Sequence, residues 1–411
     1  MSVPEFFESG ARPGRFEFVR EPTYFEVPSD PDWNRFSDVI LEFTAGAGAS
    51  YAAQNATGDA DAQDHFRGQE DPELTVGYPL QQELVDGSGN SVDPATDGIL
   101  RDDQTQLEAT HLVVHRMELP GGNDGAGVRK YTVARGGKIA SVEAELAPDD
   151  EMPIPMTLDY APRKIRSYLI HQPAASTTVD VVSTDSNDTM DVTIENEGAG
   201  NTETITLNGT TTVTSTVSVG NIDAVWLSDP PEGDVTLTDG SGTTLTTIYG
   251  GLTYSDDSQP VDGDRGIPPL GAGSHASAIG TDYEHFVGDR VERPAGTAIR
   301  DVITGGSWTI DNDIDTTAVH STRQPVTAVG NRTVSVETDV SGETVSHENF
   351  VDSLKKDQAD IEHELASSLV TFKNTVPADV DPRSIEPEEA RAEYSVTWEA
   401  SGSPAIEVTQ P

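Results

Sequence analysis

The sequence predicts a mainly β (α+β) protein: β-barrel or sandwich bodies with one helix and an inserted immunoglobulin-like β-sandwich. Three observations predict it. Apolar residues recur at every second position through much of the chain. A block at 173–252 is dense in Thr, Val, Asp and Gly and holds no Lys or Arg. One stretch, 346–367, carries apolar residues at helical spacing instead. Period-two alternation sends one set of side chains to a core and the other to water, the pattern of half-buried antiparallel strands.

Taken in order, residues 1–35 are rich in Pro, Glu and aromatics without a sustained period, and read as an extended N-terminal arm. Its aromatics are either core staples or contacts to a neighbouring subunit, Phe6 and Phe7 being the candidates for the second role. A first β domain follows at 36–171. Leu74, Val76, Tyr78 and Leu80 alternate with polar or small residues. So do Val142, Ala144 and Leu146, and again Ile154, Met156, Leu158 and Tyr160. Between them, 52–73 and 86–104 read as long acidic Gly/Ala-rich loops.

The insert spans 172–253. Short alternating runs recur there (Val179/Val181, Val192/Ile194, Ile205/Leu207, Val217/Val219, Val225/Leu227, Val235/Leu237, Leu245/Ile248), and Asn208-Gly209 and Asp239-Gly240 mark tight turns. Seven or so short strands in about 80 residues is the rhythm of an immunoglobulin-like sandwich. A Pro/Gly/Asp linker, 254–274, leads to a second β domain at 275–411. Trp308, Ile310 and Ile314 alternate with Thr309, Asp311 and Asp313, and Val334, Val336 and Val340 keep the same rule. Ser346 is placed to cap a helix whose stripe is Phe350, Leu354, Ile361 and Leu365, with Asp352–Lys356 and Lys356–Asp360 as i,i+4 pairs. A strand at Leu369–Phe372 and a hairpin close the chain, with Tyr394, Val396 and Trp398 on one arm, Ile406 and Val408 on the other, and Ser401-Gly402 turning. Both bodies hold two strands separated by a long polar or helical excursion (Leu74–Leu80 with Leu107–Met117; Thr333–Val340 with Leu369–Phe372), which points to a divergent duplication.

Composition speaks of solvent before function. Asp+Glu number 71 against Lys+Arg 25, a formal charge of −46, and there is no cysteine. Such a charge destabilises the compact state by self-repulsion. In molar salt the Debye length falls to about 3 Å and the repulsion is screened, so the chain reads as adapted to brine. The periodic apolar residues argue against disorder. No apolar run approaches the roughly 20 residues of a membrane span, and MSVPEFFESGARPGRF lacks the features of a leader peptide. The expectation is a protein that crosses no membrane by these routes. Without cysteine there are no disulfides and no thiolate metal sites. The charge also argues against tightly held duplex DNA, whose affinity comes from cations displacing counterions.

Few residues suggest chemistry. Asp311, Asp313 and Asp315 have D-x-D-x-D spacing, but no glycine follows at the sixth place and Thr322 stands where a calcium loop needs its bidentate Glu; alternation makes them the wet face of a strand. His111 and His115 share a strand face without an evident third zinc ligand. GAGASY (46–51) and GAGSH (271–275) lack the frame of a phosphate loop and read as flexible turns. Asn55, Asn187, Asn208 and Asn331 lie in N-x-[ST] sequons. Arg163, Lys164 and Arg166 form the one local basic cluster and read as inter-subunit ion-pair partners. No metal, cofactor or catalytic constellation is predicted.

Three stretches resemble the tail tube proteins of long-tailed viruses that infect bacteria and archaea: KYTVARGGKIASVEAELAPDDEMPIPMTLDY (130–160), GGSWTIDNDIDTTAVHSTRQPVTAVGNRTVSVETDV (305–340), and, as a sandwich decoration, TETITLNGTTTVTSTVSVGNIDAVWLS (202–228). The resemblance implies a tail-tube-like β-barrel body and a non-enzymatic virion subunit, here from a virus of a haloarchaeal host, assembled in the host cytoplasm. Copies would close into trimeric or hexameric rings, stacked as the conduit for viral DNA, with the insert projecting outward. The partners implied are further copies, the terminator, tape-measure and baseplate proteins, and DNA passing without tight binding. A baseplate or receptor-binding protein using the sandwich for adhesion is the alternative, and a glycosidase with an appended sandwich is a third.

Overall fold

The computed structural model describes residues 15–28, 33–36, 40–46, 49–55, 62–80, 110–119, 127–146, 153–196, 201–250, 264–270, 286–292, 298–299, 303–317, 326–342, 358–365, 369–380, 392–402 and 405–409. In the chain order of its strands, the first ten are β1 (Arg15–Arg20), β2 (Asn34–Arg35), β3 (Glu42–Gly46), β4 (Ala49–Asn55), β5 (Ala62–Glu70), β6 (Glu73–Pro79), β7 (His111–Leu119), β8 (Val128–Leu146), β9 (Pro155–Ala161) and β10 (Lys164–His171). Eight more make the insert: β11 (Val179–Ser183), β12 (Asp191–Asn196), β13 (Asn201–Thr206), β14 (Val213–Thr214), β15 (Ile222–Leu227), β16 (Val235–Asp239), β17 (Thr244–Ile248) and β18 (Gly266–Ile267). The last ten are β19 (Phe286–Glu292), β20 (Ala298–Ile299), β21 (Ile303–Asp311), β22 (Ile314–Thr317), β23 (Val326–Val329), β24 (Thr333–Gly342), β25 (Ala359–Leu365), β26 (Leu369–Val380), β27 (Ala392–Glu399) and β28 (Ile406–Thr409). The fold is mainly β, and every strand pairing with a described register is antiparallel.

The expected helix is a correction. Residues 346–357 lie outside the described residues, but Ala359–Leu365 is strand β25, paired with β19 and β26. A spacing of four, as between Ile361 and Leu365, suits a strand face as well as a helix face. Ala359, Ile361, His363 and Leu365 are the buried set, with Asp360, Glu362 and Glu364 between them. The helical i,i+4 pair of Lys356 with Asp360 gives way to a cross-strand contact of Asp360 with Lys373 at 3.7 Å.

Beyond the insert, the first and last ten strands repeat one pairing scheme. β1 pairs with β2 and β7; β19 pairs with β20 and β25. β3 pairs with β6 and β6 with β9; β21 pairs with β24 and β24 with β27. β8 takes β7, β9 and β10; β26 takes β25, β27 and β28. The two-stranded ribbons β4–β5 and β22–β23 each interrupt a hairpin, β3/β6 and β21/β24. Details repeat as well. The β8–β9 ladder skips Ala140, between Ile139 and Ser141, and the β26–β27 ladder skips Ala378, between Pro377 and Asp379. Four residues before each bulge the backbone turns left-handed, at Gly136 (φ 64°) and Asn374 (φ 48°). The chain is thus a duplicated ten-strand block with the sandwich between its copies. The strand pairs compared in the sequence are not neighbours: β6 pairs with β3 and β9, not β7, and β24 with β21 and β27, not β26.

Three boundaries move. The expected arm contributes β1, whose Phe16 and Phe18 are buried, so it opens the first block. Within the expected loop 52–73, residues 52–55 and 62–70 belong to the β4–β5 ribbon; Tyr51 and Phe66 are the only large apolar residues of its two strands, so no alternation betrays it. The expected linker supplies β18, which pairs with β15. A Cβ at Gly266 would sit 2.4 Å from the Val225 carbonyl, and its φ is +85°, so glycine alone lets this strand close in.

Two compact units result. The first takes in residues 1–35, 112–135 and 165–277; the second 36–111, 136–164 and 278–411. In the first, the insert forms two four-stranded sheets, β14-β11-β16-β17 and β13-β12-β15-β18. Their inner faces (Val179, Val181, Val235 and Leu237 against Val192, Ile194, Ile205 and Leu227) share one core. The strand order departs from the immunoglobulin arrangement, where the second and third strands lie in different sheets: here β12 and β13 are a hairpin, Asn196 opposite Asn201. Val217, expected in a strand, is exposed outside one. The same core continues into Leu112 and Val114 of β7, Tyr131 and Val133 of β8, and Tyr168 and Ile170 of β10. Every residue of β15 is buried, as a strand covered on both faces must be.

In the second unit the strands run β3-β6-β9-β8-β21-β24-β27-β26-β25-β19-β20, with β28 also on β26. Leu158, Val142, Ile310, Val336 and Trp398 lie on the buried face. The link between the two blocks is the β8–β21 ladder, Ser141–Leu146 against Gly306–Asp311.

Candidate functional site

The most regular surface is the other face of the second unit's sheet. Strand alternation that buries Val142, Ala144 and Leu146 turns Ser141, Glu143 and Glu145 outward, and register lines these up with outward residues of the neighbouring strands. One row reads Thr44, Thr75, Asp159, Ser141, Asp311, Thr333. The next holds Thr157, Glu143, Thr309, Ser335 and Glu399, and a third Glu145, Ser307, Glu337 and Thr397. These members are hydroxyls and carboxylates; the second row runs on into Gly77 and Val376, and Lys373 of β26 stands on the same face between Asp360 (3.7 Å) and Glu407 (3.2 Å).

The hydroxyls hold the acids in place across strands. Thr75 Oγ1 donates to Asp159 Oδ1 at 2.7 Å and Ser141 Oγ to Asp159 Oδ2 at 2.9 Å, and Ser395 Oγ donates to Asp339. Glu143, Glu145, Asp159, Asp311 and Glu399 are exposed. The result is an anionic face whose carboxylates are braced by hydroxyls of the neighbouring strands. The sequence had shown its strands without showing that their wet faces join, because that depends on register between segments far apart in the chain.

The first unit holds a buried charge cluster that sequence reading missed. Asp223 of β15 accepts from Arg116 of β7 at 2.5 Å, from Arg129 of β8 at 3.4 Å, and from the Tyr131 hydroxyl at 3.2 Å. Arg129 also donates to the Ile222 carbonyl at 3.1 Å and lies 3.8 Å from Glu118. Burial, then the Asp223 charge, push the Tyr131 hydroxyl far above its ordinary range, so it remains a neutral donor. Nearby, Arg135 stacks over Phe25 (4.1 Å) and Arg265 over Trp226 (4.4 Å). These groups fasten the sandwich to its strands. The one signal for them was three cations, Arg116, Arg129 and Arg135, on strands flanking a block that has none.

The remaining candidates stand apart. His111 is buried edge-on to Tyr160, and His115 lies 5.2 Å from Phe16. Burial, then Lys130, lower the His115 pKa to about 4. Among the described residues no group of three His, Cys, Asp or Glu is placed to hold a metal ion. Asp311, Asp313 and Asp315 are exposed, as alternation predicted, but not on one strand: Asp313 sits in the turn between β21 and β22 at φ 47°, its N–H donating to Asp311 Oδ1 at 2.8 Å. GAGASY runs from the end of β3 into β4, with 47–48 outside the described residues, as GAGSH is. Asn187, Asn208 and Asn331 are exposed; Asn55 ends β4. Of the proposed subunit contacts, Lys164 is 4% exposed and already enclosed by its own chain, Arg163 and Arg166 are half-buried, and Phe6 and Phe7 lie outside the described residues.

Comparison with family models and with curated proteins returns no match for this chain. Among the described residues no helix is long and apolar enough to cross a membrane.

Proposed function

We propose that the chain is a structural virion subunit, the tail tube protein of a long-tailed virus of a salt-loving host, and that it acts by assembly and not by catalysis. The observation that carries this reading is the hydroxyl–carboxylate face of the second unit. Duplex DNA carries one negative charge per about 1.7 Å of axis. Rows of carboxylates spaced by hydroxyls, with no Lys or Arg among them and Lys373 of the same face held between Asp360 and Glu407, repel that charge, so DNA passes without tight binding. The duplicated block supports the same reading, because a chain that pairs one block with the next through β8–β21 already contains the kind of joint that extends a sheet from copy to copy. The −46 charge fits assembly in brine.

Negative-stain microscopy of the purified protein in molar KCl tests the proposal. Rings or tubes whose bore admits duplex DNA are the expected result. Stable monomers, or compact oligomers without a channel, overturn it and favour the adhesion role for the sandwich.

A further inference from the structure

We propose that residues 21–28, the stretch EPTYFEVP between β1 and β2, form a strap that opens as a unit and uncovers the Arg135 guanidinium while the sandwich beneath stays folded. The inference goes beyond the tube reading and does not rest on it. The strap lies between two fixed points. Phe18 of β1 and Trp33 are each 2% exposed, and the Trp33 indole donates to the Pro269 carbonyl at 3.0 Å. Between them, past the buried Glu21, Pro22, Thr23 and Glu26 are exposed and Tyr24, Phe25, Val27 and Pro28 half-buried.

Phe25 carries the strain. It is one of three non-glycine residues with positive φ among the described residues, at 69°, and the others, Asp313 and Asn374, are of types that tolerate the left-handed region. A bulky side chain there is costly, and such strain persists only where the surroundings impose it, as at clamps and switches. Here one side chain imposes most of it. Arg135 donates to the Phe25 carbonyl at 2.9 Å and stacks 4.1 Å over its ring, with the Trp226 ring 5.8 Å away. Within the strap the Phe25 N–H donates to the Glu21 carboxylate at 2.8 Å and the Glu26 N–H to the Thr23 carbonyl at 3.0 Å. Closure also holds Arg135, 8% exposed, close to Arg265, whose pKa is lowered by burial and then by the Arg135 charge. Opening relieves both the left-handed φ and this repulsion. Arg265 stays behind, donating to the Leu227 and Ser228 carbonyls and stacked on Trp226.

The test is hydrogen exchange of the full chain in molar KCl, read by mass spectrometry on peptides from the strap and from β15. In the native chain the Phe25 and Glu26 amides should exchange at least about tenfold faster than those of β15, through an opening that leaves β15 protected. Arg135→Met keeps the apolar stem and should speed strap exchange about tenfold more, as loss of a stacked guanidinium and its hydrogen bond implies, with β15 unchanged within about twofold. Phe25→Leu keeps the backbone cost, removes the stack, and should speed strap exchange about threefold. If Arg135→Met loosens β15 as well, Phe25→Leu alone decides. Strap amides that exchange only together with β15, in the native chain or in Phe25→Leu, overturn the proposal, and so does strap exchange unchanged by both substitutions.

Discussion

Asp223 of the sandwich lies 2.5 Å from the Arg116 guanidinium of β7, with side chains 4% and 10% exposed. A carboxylate this deep is held by its partners, and Arg129 and Tyr131 complete them. Asp223→Asn takes from Arg116 and Arg129 the buried carboxylate they share, while Glu118 stays 3.8 Å from Arg129. Removing one partner of a buried pair costs about 3–5 kcal/mol, and thermal unfolding should report a loss of that order. Because buried pairs are screened little by salt, the loss should persist from 0.2 M to 3 M KCl, on the order of the range over which the whole chain gains stability from screening. Arg116→Met combined with Asp223→Asn should recover part of it. A loss that vanishes in high salt would place the cluster at the surface.

β7 and its counterpart β25 differ in what they bury, and the difference is written in their sequences. β7 reads HLVVHRMEL and is buried on both faces over His111–Val114; β25 reads ADIEHEL and buries one face only. Leu112 and Val114 join the sandwich core, whereas the corresponding wet face of β25 presents Asp360, Glu362 and Glu364. Val114→Glu puts an unpaired charge under the sandwich and should cost several kcal/mol, on the order of 3 or more. Glu362→Val, on the half-exposed face of β25, should change stability by about 1 kcal/mol or less. Denaturant titration of the two variants separates them.

These two strands also show what was legible. Alternation located β6, β9, β21 and the sandwich strands because each has one wet face, and it failed where that condition fails. Ile361 and Leu365 satisfied helix and strand spacing alike, and the β4–β5 ribbon has too few apolar residues to carry a period. The duplication was visible only as a likeness in layout, since Ile139 corresponds to Pro377 and Tyr160 to Trp398 with no shared identity. The wall formed by Asp159, Glu143 and Glu337 required register between strands far apart in sequence, and the Arg116–Asp223 contact bridges a separation of 107 residues. No local pattern encodes either.

The left-handed residues that precede the two bulges make a matched pair of tests. Gly136 holds φ 64° without a side chain, and Asn374 holds φ 48° with one of the few side chains that tolerate it. Gly136→Val and Asn374→Val should each cost about 1–2 kcal/mol from the Cβ–carbonyl clash. Asn374→Gly should stay close to neutral, its Nδ2 contact to the Ser401 carbonyl being long at 3.4 Å. Equal effects of the two valines on the melting temperature would mark the bends as equivalent. A neutral Asn374→Val would show that the second bend relaxes at no cost.

His363 gives the clearest dependence on pH. Its imidazole is 1% exposed on β25, with the Phe372 ring 5.2 Å away, and burial lowers its pKa from 6.5 to about 3. The folded protein therefore keeps it neutral while the unfolded chain binds a proton below pH 6.5. Stability from this group is complete above that pH and is lost as pH falls towards 3. At pH 5 the unfolded form lies about 1.5 units below its pKa, which at about 1.4 kcal/mol per unit removes roughly 2 kcal/mol. His115, lowered to about 4, acts in the same direction. The carboxylates act the other way, since their protonation relieves self-repulsion, and that contribution is common to the native chain and a His363 variant. From pH 7 to 5 in molar KCl, melting should show the native chain losing about 2 kcal/mol more than His363→Leu when converted at the midpoint. An identical pH slope in the two proteins would mean that His363 is protonated in the folded state.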